Sequence, residues 1–266
     1  MSEVKQHIFQ NITDEDWVAV AVHGGGGISF HRSHPAVKMF ESISNFKVVY
    51  SVELPNHGRR GKSSKWFDVD EALRNVKEEL QNKIAGKRVV FISYSVGGVL
   101  ISKLWWTFKK TIDPKSICIL TGCGLRLELH RKAVEDFWTV EYTLKNNKSM
   151  MEKAHGGDWE LTIKSVNPWL ARGASSWMTS GELQQLNAPE SKMYFVIGTD
   201  PEEPFDISDI TFALDKFSCS DKVYTIPSDH WSYFNKKWDF VQSAYLAILK
   251  KSCNLEPGPK LTQSKL

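Results

Sequence analysis

The chain has only four cysteines, Cys118, Cys123, Cys219 and Cys253, with no C-x-x-C pair and no metal-ligand spacing among them. That argues against a disulfide framework or a zinc site and predicts reduced thiols packed as small hydrophobes. The opening stretch MSEVKQHIFQNITDEDW lacks a basic-then-apolar leader pattern. No apolar run approaches the roughly 20 residues that a membrane-spanning helix needs. A soluble, cytoplasmic protein is expected. Charge of one sign is lacking too: 34 Lys and Arg against 31 Asp and Glu leave a net charge of +3, spread rather than blocked, which argues against a nucleic-acid surface. There is no G-x-G-x-x-G and no Walker lysine, so a nucleotide site is not expected either.

What the chain does have is 266 residues, 41% of them hydrophobic, with ten Trp and fourteen Phe. That is enough for a sizeable core and an apolar pocket. Short apolar runs at 17–27, 46–55, 87–95, 116–124, 192–200 and 222–230 read as strands, the first running into glycines and the second ending at a proline. Between them lie helical patterns at 68–84, with Asp68 as a candidate cap, and at 96–110, and a closing helix is expected at 238–252. Continuous apolar strands alternating with helices predict an α/β fold with a mostly parallel sheet covered on both faces. Residues 125–190, with Trp138, Trp159, Trp169 and Trp177, are too long for a loop and predict a helical cap inserted in the core. The core is then 1–124 and 191–255, and 256–266, EPGPKLTQSKL, is expected to be a flexible tail.

Ligands in such sheets bind at the carboxyl ends of the strands. Here those ends carry His23-Gly24-Gly25-Gly26-Gly27, Asn56-His57-Gly58, Ser95, Asp200 and His230. Ser95 lies in Ser-Tyr-Ser-Val-Gly-Gly, between a strand and a helix, with small residues two before and two after it. A serine displayed on a strained strand-to-helix turn needs that spacing.

Together these segments resemble the α/β-hydrolase superfamily over most of the chain. HGGGG is similar to its oxyanion loop, ELPNHGRRGKSS to the segment after its second strand, SYSVGG to its nucleophile elbow, and FVIGTDPEEP and IPSDHWSYF to its acid and histidine strands. Three positions depart from the usual pattern: Ser93 and Asn56, each in place of glycine, and Asp229, where glycine is common.

The resemblance implies a serine hydrolase acting on an ester or thioester of a small apolar substrate. Ser95 is then the nucleophile and His230 the base. The acid is expected at Asp200, with Glu202, Glu203 and Asp206 as alternatives, and the Gly25 and Val96 amides form the oxyanion hole, with Gly26 as the alternative to Gly25. No metal or organic cofactor is implied. The fold also hosts acyl transfer, C–C hydrolysis and lyase chemistry, as well as non-catalytic ligand-binding proteins. His57, Arg59 and Arg60 are expected to shape their loop. His31, His34, His130 and His155 are expected at the surface.

Overall fold

The computed structural model describes residues 3–11, 13, 16–25, 27, 30–58, 69–123, 139–172, 192–201, 203, 222–230 and 232–256, with backbone alone at 69 and 166–172. Seven strands form one sheet among these residues: β1 Glu3–Ile8, β2 Trp17–Val22, β3 Phe46–Glu53, β4 Arg88–Tyr94, β5 Ile117–Thr121, β6 Met193–Gly198 and β7 Val223–Ile226. Their order is β1-β3-β2-β4-β5-β6-β7, and every pairing is parallel except that of β1 with β3.

All six residues of β2, all five of β5 and all six of β6 are buried. This is why they read as unbroken apolar runs rather than alternating ones. Helices cover both faces. On one face α2 (Val69–Ile84) and α3 (Gly97–Phe108) pack Val76, Leu80, Leu100 and Leu104 against Val20, Phe91 and Leu120. On the other, α1 (Pro35–Ser42) and α7 (Trp238–Cys253) pack Phe40, Tyr245 and Leu249 against Ala19, Ile92 and Val196. Asn254, at φ 55, ends α7 in the left-handed conformation of a helix C-terminus.

Two elements lie outside the sequence pattern. Strand β1 buries only Val4, so EVKQHI carries almost no apolar signal, and its place is set by pairing along β3. Helix α1 begins at Pro35 behind an unusual cap, the imidazole of His34 accepting from the Ala36 N–H at 3.2 Å.

Between β5 and β6, where the cap is expected, lie α4 (Val140–Asn146), α5 (Lys148–His155) and α6 (Trp159–Arg172). Trp159, Met151 and Ile163 join the core on the α2–α3 face. Thr162 Oγ1 donates to Asn56 O at 2.7 Å, and Gly58 N–H donates to His155 Nδ1 at 2.9 Å, so α5 and α6 are fastened to the loop after β3. The tail from 257 onward, Asp68, His130, Trp138 and Trp177, and the side chain of Trp169, lie outside the described residues. Among the described residues no helix is long and apolar enough to cross a membrane.

The chain leaves β2 for β3 on one side and returns to β4 on the other. The carboxyl ends of β2 and β4 therefore flank the point where strand order reverses, the place for a crevice in an open α/β sheet.

Candidate active site

Ser95 follows the last residue of β4 with φ at 52°, a left-handed conformation that costs a non-glycine residue energy. Neighbouring backbone holds it there: its N–H donates to Thr121 O, and its carbonyl accepts from Gly98 N–H, each at 2.9 Å. The small residues around it have separate reasons. A Cβ on Gly97 would stand 2.3 Å from His23 O, and one on Gly98 would stand 2.4 Å from Cys123 Sγ, so α3 can start this close to β2 and β5 only on glycine. Ser93 fits in the sheet, but its buried Oγ has no hydrogen-bond partner among the described residues.

The Ser95 Oγ lies 2.9 Å from His230 Nε2, and His230 Nδ1 lies 2.9 Å from Glu203 Oε1. The His230 and Glu203 side chains are 5% and 2% exposed, so the pair is shut off from solvent screening. A carboxylate only accepts, so Nδ1 carries the proton and Nε2 is left with a lone pair facing the Ser95 hydroxyl. Two aromatic rings hold the imidazole. Tyr94 stacks on it at 5.1 Å between centroids and donates its hydroxyl to His230 O, and Tyr233 meets it edge-on at 6.2 Å.

The carboxylate at His230 is therefore that of Glu203 and not that of Asp200, which is exposed. The reason is local. The chain turns here: Glu203 N–H donates to Asp200 O at 2.9 Å, and Pro201 follows Asp200 in the second position, where its fixed φ suits a turn. Asp200 starts this turn, and the reversal carries Glu203 back to His230. Glu202 and Asp206 lie outside the described residues. Asp229 serves its own turn, accepting from Ser232 Oγ at 2.6 Å.

The glycine loop is organised by His23. Its Nε2 accepts from Leu54 N–H at 3.0 Å, so Nδ1 bears the proton and donates to Gly24 O at 2.7 Å. Burial pushes its pKa down to about 4, which keeps the ring neutral. Gly24 O also accepts from Gly27 N–H at 3.1 Å. With its carbonyl held by two donors, the trans peptide points the Gly25 N–H away from the His23 ring. Gly24 lies against the serine: a Cβ there would stand 3.0 Å from Ser95 Cβ. Gly26 lies outside the described residues, and Val96 opens α3 beside Ser95.

Two histidines expected at the surface are placed elsewhere. His155 is buried against Gly58, and His34, stacked on Phe30 at 4.0 Å, caps α1, with its pKa lowered by burial to about 3. His31 is exposed, and His57 Nδ1 donates to Pro55 O at 2.8 Å within its own loop. Arg59 and Arg60 lie outside the described residues. Cys118 and Cys123 are buried, Cys253 is half-buried, and Cys219 is not among the described residues. Among the described residues no group of three or more His, Cys, Asp or Glu side chains could hold a metal ion.

Sequence reasoning missed Tyr94 and Tyr233 as partners of His230. Their one sequence signal is proximity, Tyr94 beside the serine and Tyr233 three residues after the histidine.

No curated protein matches the chain. Solved structures do. A carboxylesterase of Nitrososphaera gargenis is 17% identical with a TM-score of 0.61, covering 94% of this chain and 95% of its own. A meta-cleavage product hydrolase from Pseudomonas fluorescens is 12% identical with a TM-score of 0.63, covering 94% of each chain. A thermophilic esterase from Thermogutta terrifontis is 12% identical with a TM-score of 0.63, covering 94% and 93%. At such identities the likeness is one of fold. The family model described as "Alpha/beta hydrolase family" matches residues 19–235, from β2 through the histidine loop, and on that match the chain belongs to the alpha/beta hydrolase family.

Proposed function

We propose that the protein is a serine hydrolase that cleaves a carboxylic ester or thioester of a small apolar substrate through an acyl-enzyme. The observation that carries this reading is the continuous contact Ser95 Oγ–His230 Nε2 and His230 Nδ1–Glu203 Oε1, 2.9 Å at each step, built on a serine with φ at 52°. A purely ligand-binding protein has no need of a strained serine aimed at a buried imidazole.

In the mechanism, Ser95 Oγ attacks the acyl carbonyl while its proton passes to His230 Nε2. Glu203 holds the Nδ1–H tautomer and stabilises the imidazolium that forms. The carbonyl electron pair moves onto oxygen, where the Gly25 and Val96 amides receive it. The pair returns, the bond to the alcohol or thiol breaks, and the leaving group takes the proton from His230. Water then attacks the acyl-enzyme by the same route and frees the acid and Ser95. The esterases among the structural neighbours make esters the first substrate class to try.

A panel of p-nitrophenyl esters and acyl-thioesters tests the reading. Ser95→Ala is expected to lower turnover by about a thousandfold or more while thermal unfolding stays close to that of the wild type. Full turnover by that variant would contradict the reading.

A further inference from the structure

Tyr94 is the last residue of β4, and Ser95 follows it directly. Its side chain reaches the other half of the Ser–His pair. The hydroxyl donates to the backbone carbonyl of His230, 136 residues away along the chain. The ring stacks on the His230 imidazole, with centroids 5.1 Å and planes 26° apart. The two contacts restrain different movements. His230 meets Ser95 Oγ through Nε2 and Glu203 Oε1 through Nδ1. Bonds at the two ring nitrogens fix a line through the imidazole and leave the ring free to rock about it. A flat aromatic face against one side sets its plane. The hydroxyl bond holds the backbone from which the imidazole hangs. The tyrosine ring is itself fixed. A Cβ on Gly24 would stand 2.7 Å from its Cδ1, and one on Gly122 would stand 3.2 Å from its Cε2. Phe234 meets it edge-on at 5.3 Å and Tyr233 at a tilt at 5.7 Å. Burial, with the Glu203 and Asp229 carboxylates nearby, pushes the phenol pKa well up, so the hydroxyl keeps the proton it donates.

We infer that Tyr94 is the positioning residue of the base: its hydroxyl tethers the His230 carbonyl and its ring sets the imidazole plane, so that Nε2 faces the Ser95 hydroxyl. The inference rests on the hydrolase reading above and deepens it. Ser95 ends a central strand of the sheet, whereas His230 sits in a loop beyond β7, the last strand in the sheet order. Tyr94 joins the two directly. It carries the nucleophile on its backbone and the base on its side chain, so a shift of the histidine loop relative to β4 is resisted at the one residue next to the serine. Proton transfer from Oγ to Nε2 depends steeply on that alignment, which is why a tether with no contact to the reacting atoms still bears on rate.

The test is a double-mutant cycle on an ester substrate with Tyr94→Phe, His230→Ala and the pair, each checked by thermal unfolding. Tyr94→Phe keeps the stacked ring and removes the tether. It is expected to lower kcat about fivefold with KM within about twofold, the scale of one neutral hydrogen bond. His230→Ala keeps the carbonyl at 230 and leaves no imidazole to aim. In that background Tyr94→Phe is expected to lower Tm by the same amount as in the wild type but the residual kcat by less than about twofold. A loss of kcat by an equal factor in both backgrounds, no loss in the wild-type background, or a change confined to KM overturns the inference. If Tyr94→Phe does not fold, p-aminophenylalanine at 94 keeps the ring and offers a weaker donor in place of the hydroxyl. It is expected to lower kcat about threefold in the wild-type background and not in His230→Ala, and an unchanged kcat in the wild-type background overturns the inference. Fluorophosphonate labelling of the wild type separates the two failures. If Ser95 is not labelled, the hydrolase reading falls and this inference with it. If Ser95 is labelled and the cycle is additive, only the role of Tyr94 falls.

Discussion

Ser93 carries a buried hydroxyl that has no hydrogen-bond partner among the described residues. The elbow needs a small residue there, and serine meets the volume while leaving a buried polar atom unsatisfied. Ser93→Ala is expected to stabilise the fold by about 1 kcal/mol, read as a higher urea midpoint at unchanged slope; a loss of stability would mean the hydroxyl is in use. Glu203 gives the complementary case. In the proposed mechanism Glu203→Gln keeps the shape but removes the charge that would stabilise the imidazolium, and kcat should fall by about a hundredfold or more. Asp200→Asn, at an exposed turn start, should leave kcat within about twofold. The reverse ranking would restore Asp200 as the acid. The meeting of Ser95 with His230 could be expected from sequence because each follows an apolar strand that ends at the same sheet edge. The carboxylate that meets His230 could not be, because four carboxylates crowd one short stretch and the turn at Asp200-Pro201 brings Glu203 back to the imidazole.

The elements themselves could be read wherever apolar periodicity was strong. The buried strands β2 to β6, the short β7 and the helices α2, α3 and α7 announce themselves through it. Strand β1 and helix α1 do not, since one is placed by pairing along an edge and the other starts at a histidine cap. Close packing of elements gives its own test. Gly97→Ala drives a Cβ to 2.3 Å from the His23 carbonyl, where β2 and α3 meet at the elbow, and should cost about 3 kcal/mol along with most of the activity. Gly86→Ala, with nothing within 4 Å and φ at 70°, carries only the backbone strain of about 1 kcal/mol and should leave kcat unchanged. Equal losses in the two variants, compared by denaturant titration, would contradict this account of the α3 start.

The whole molecule should be acid-sensitive through its neutral histidines. Burial keeps His23 uncharged down to about pH 4 and His34 down to about pH 3, whereas in the unfolded chain both protonate near 6.5. Between those values the unfolded chain binds more protons, so stability falls as pH drops below about 6.5. For His23 the slope is up to about 1.4 kcal/mol per pH unit until about pH 4, with a smaller share from the partly exposed His34. Urea titrations at pH 7, 6 and 5 check this, and His34→Asn, which keeps a capping side chain, should flatten the slope. Constant stability across that range would contradict it. The central claim is that Ser95, activated by His230 and Glu203, is a nucleophile. Its most direct test is the peptide mass map of the protein after treatment with a fluorophosphonate. The account predicts a single phosphonyl adduct on the peptide carrying Ser95, absent in Ser95→Ala and slow to form in Glu203→Gln. An unmodified Ser95 in the folded wild-type protein, or an adduct that persists in Ser95→Ala, would contradict it.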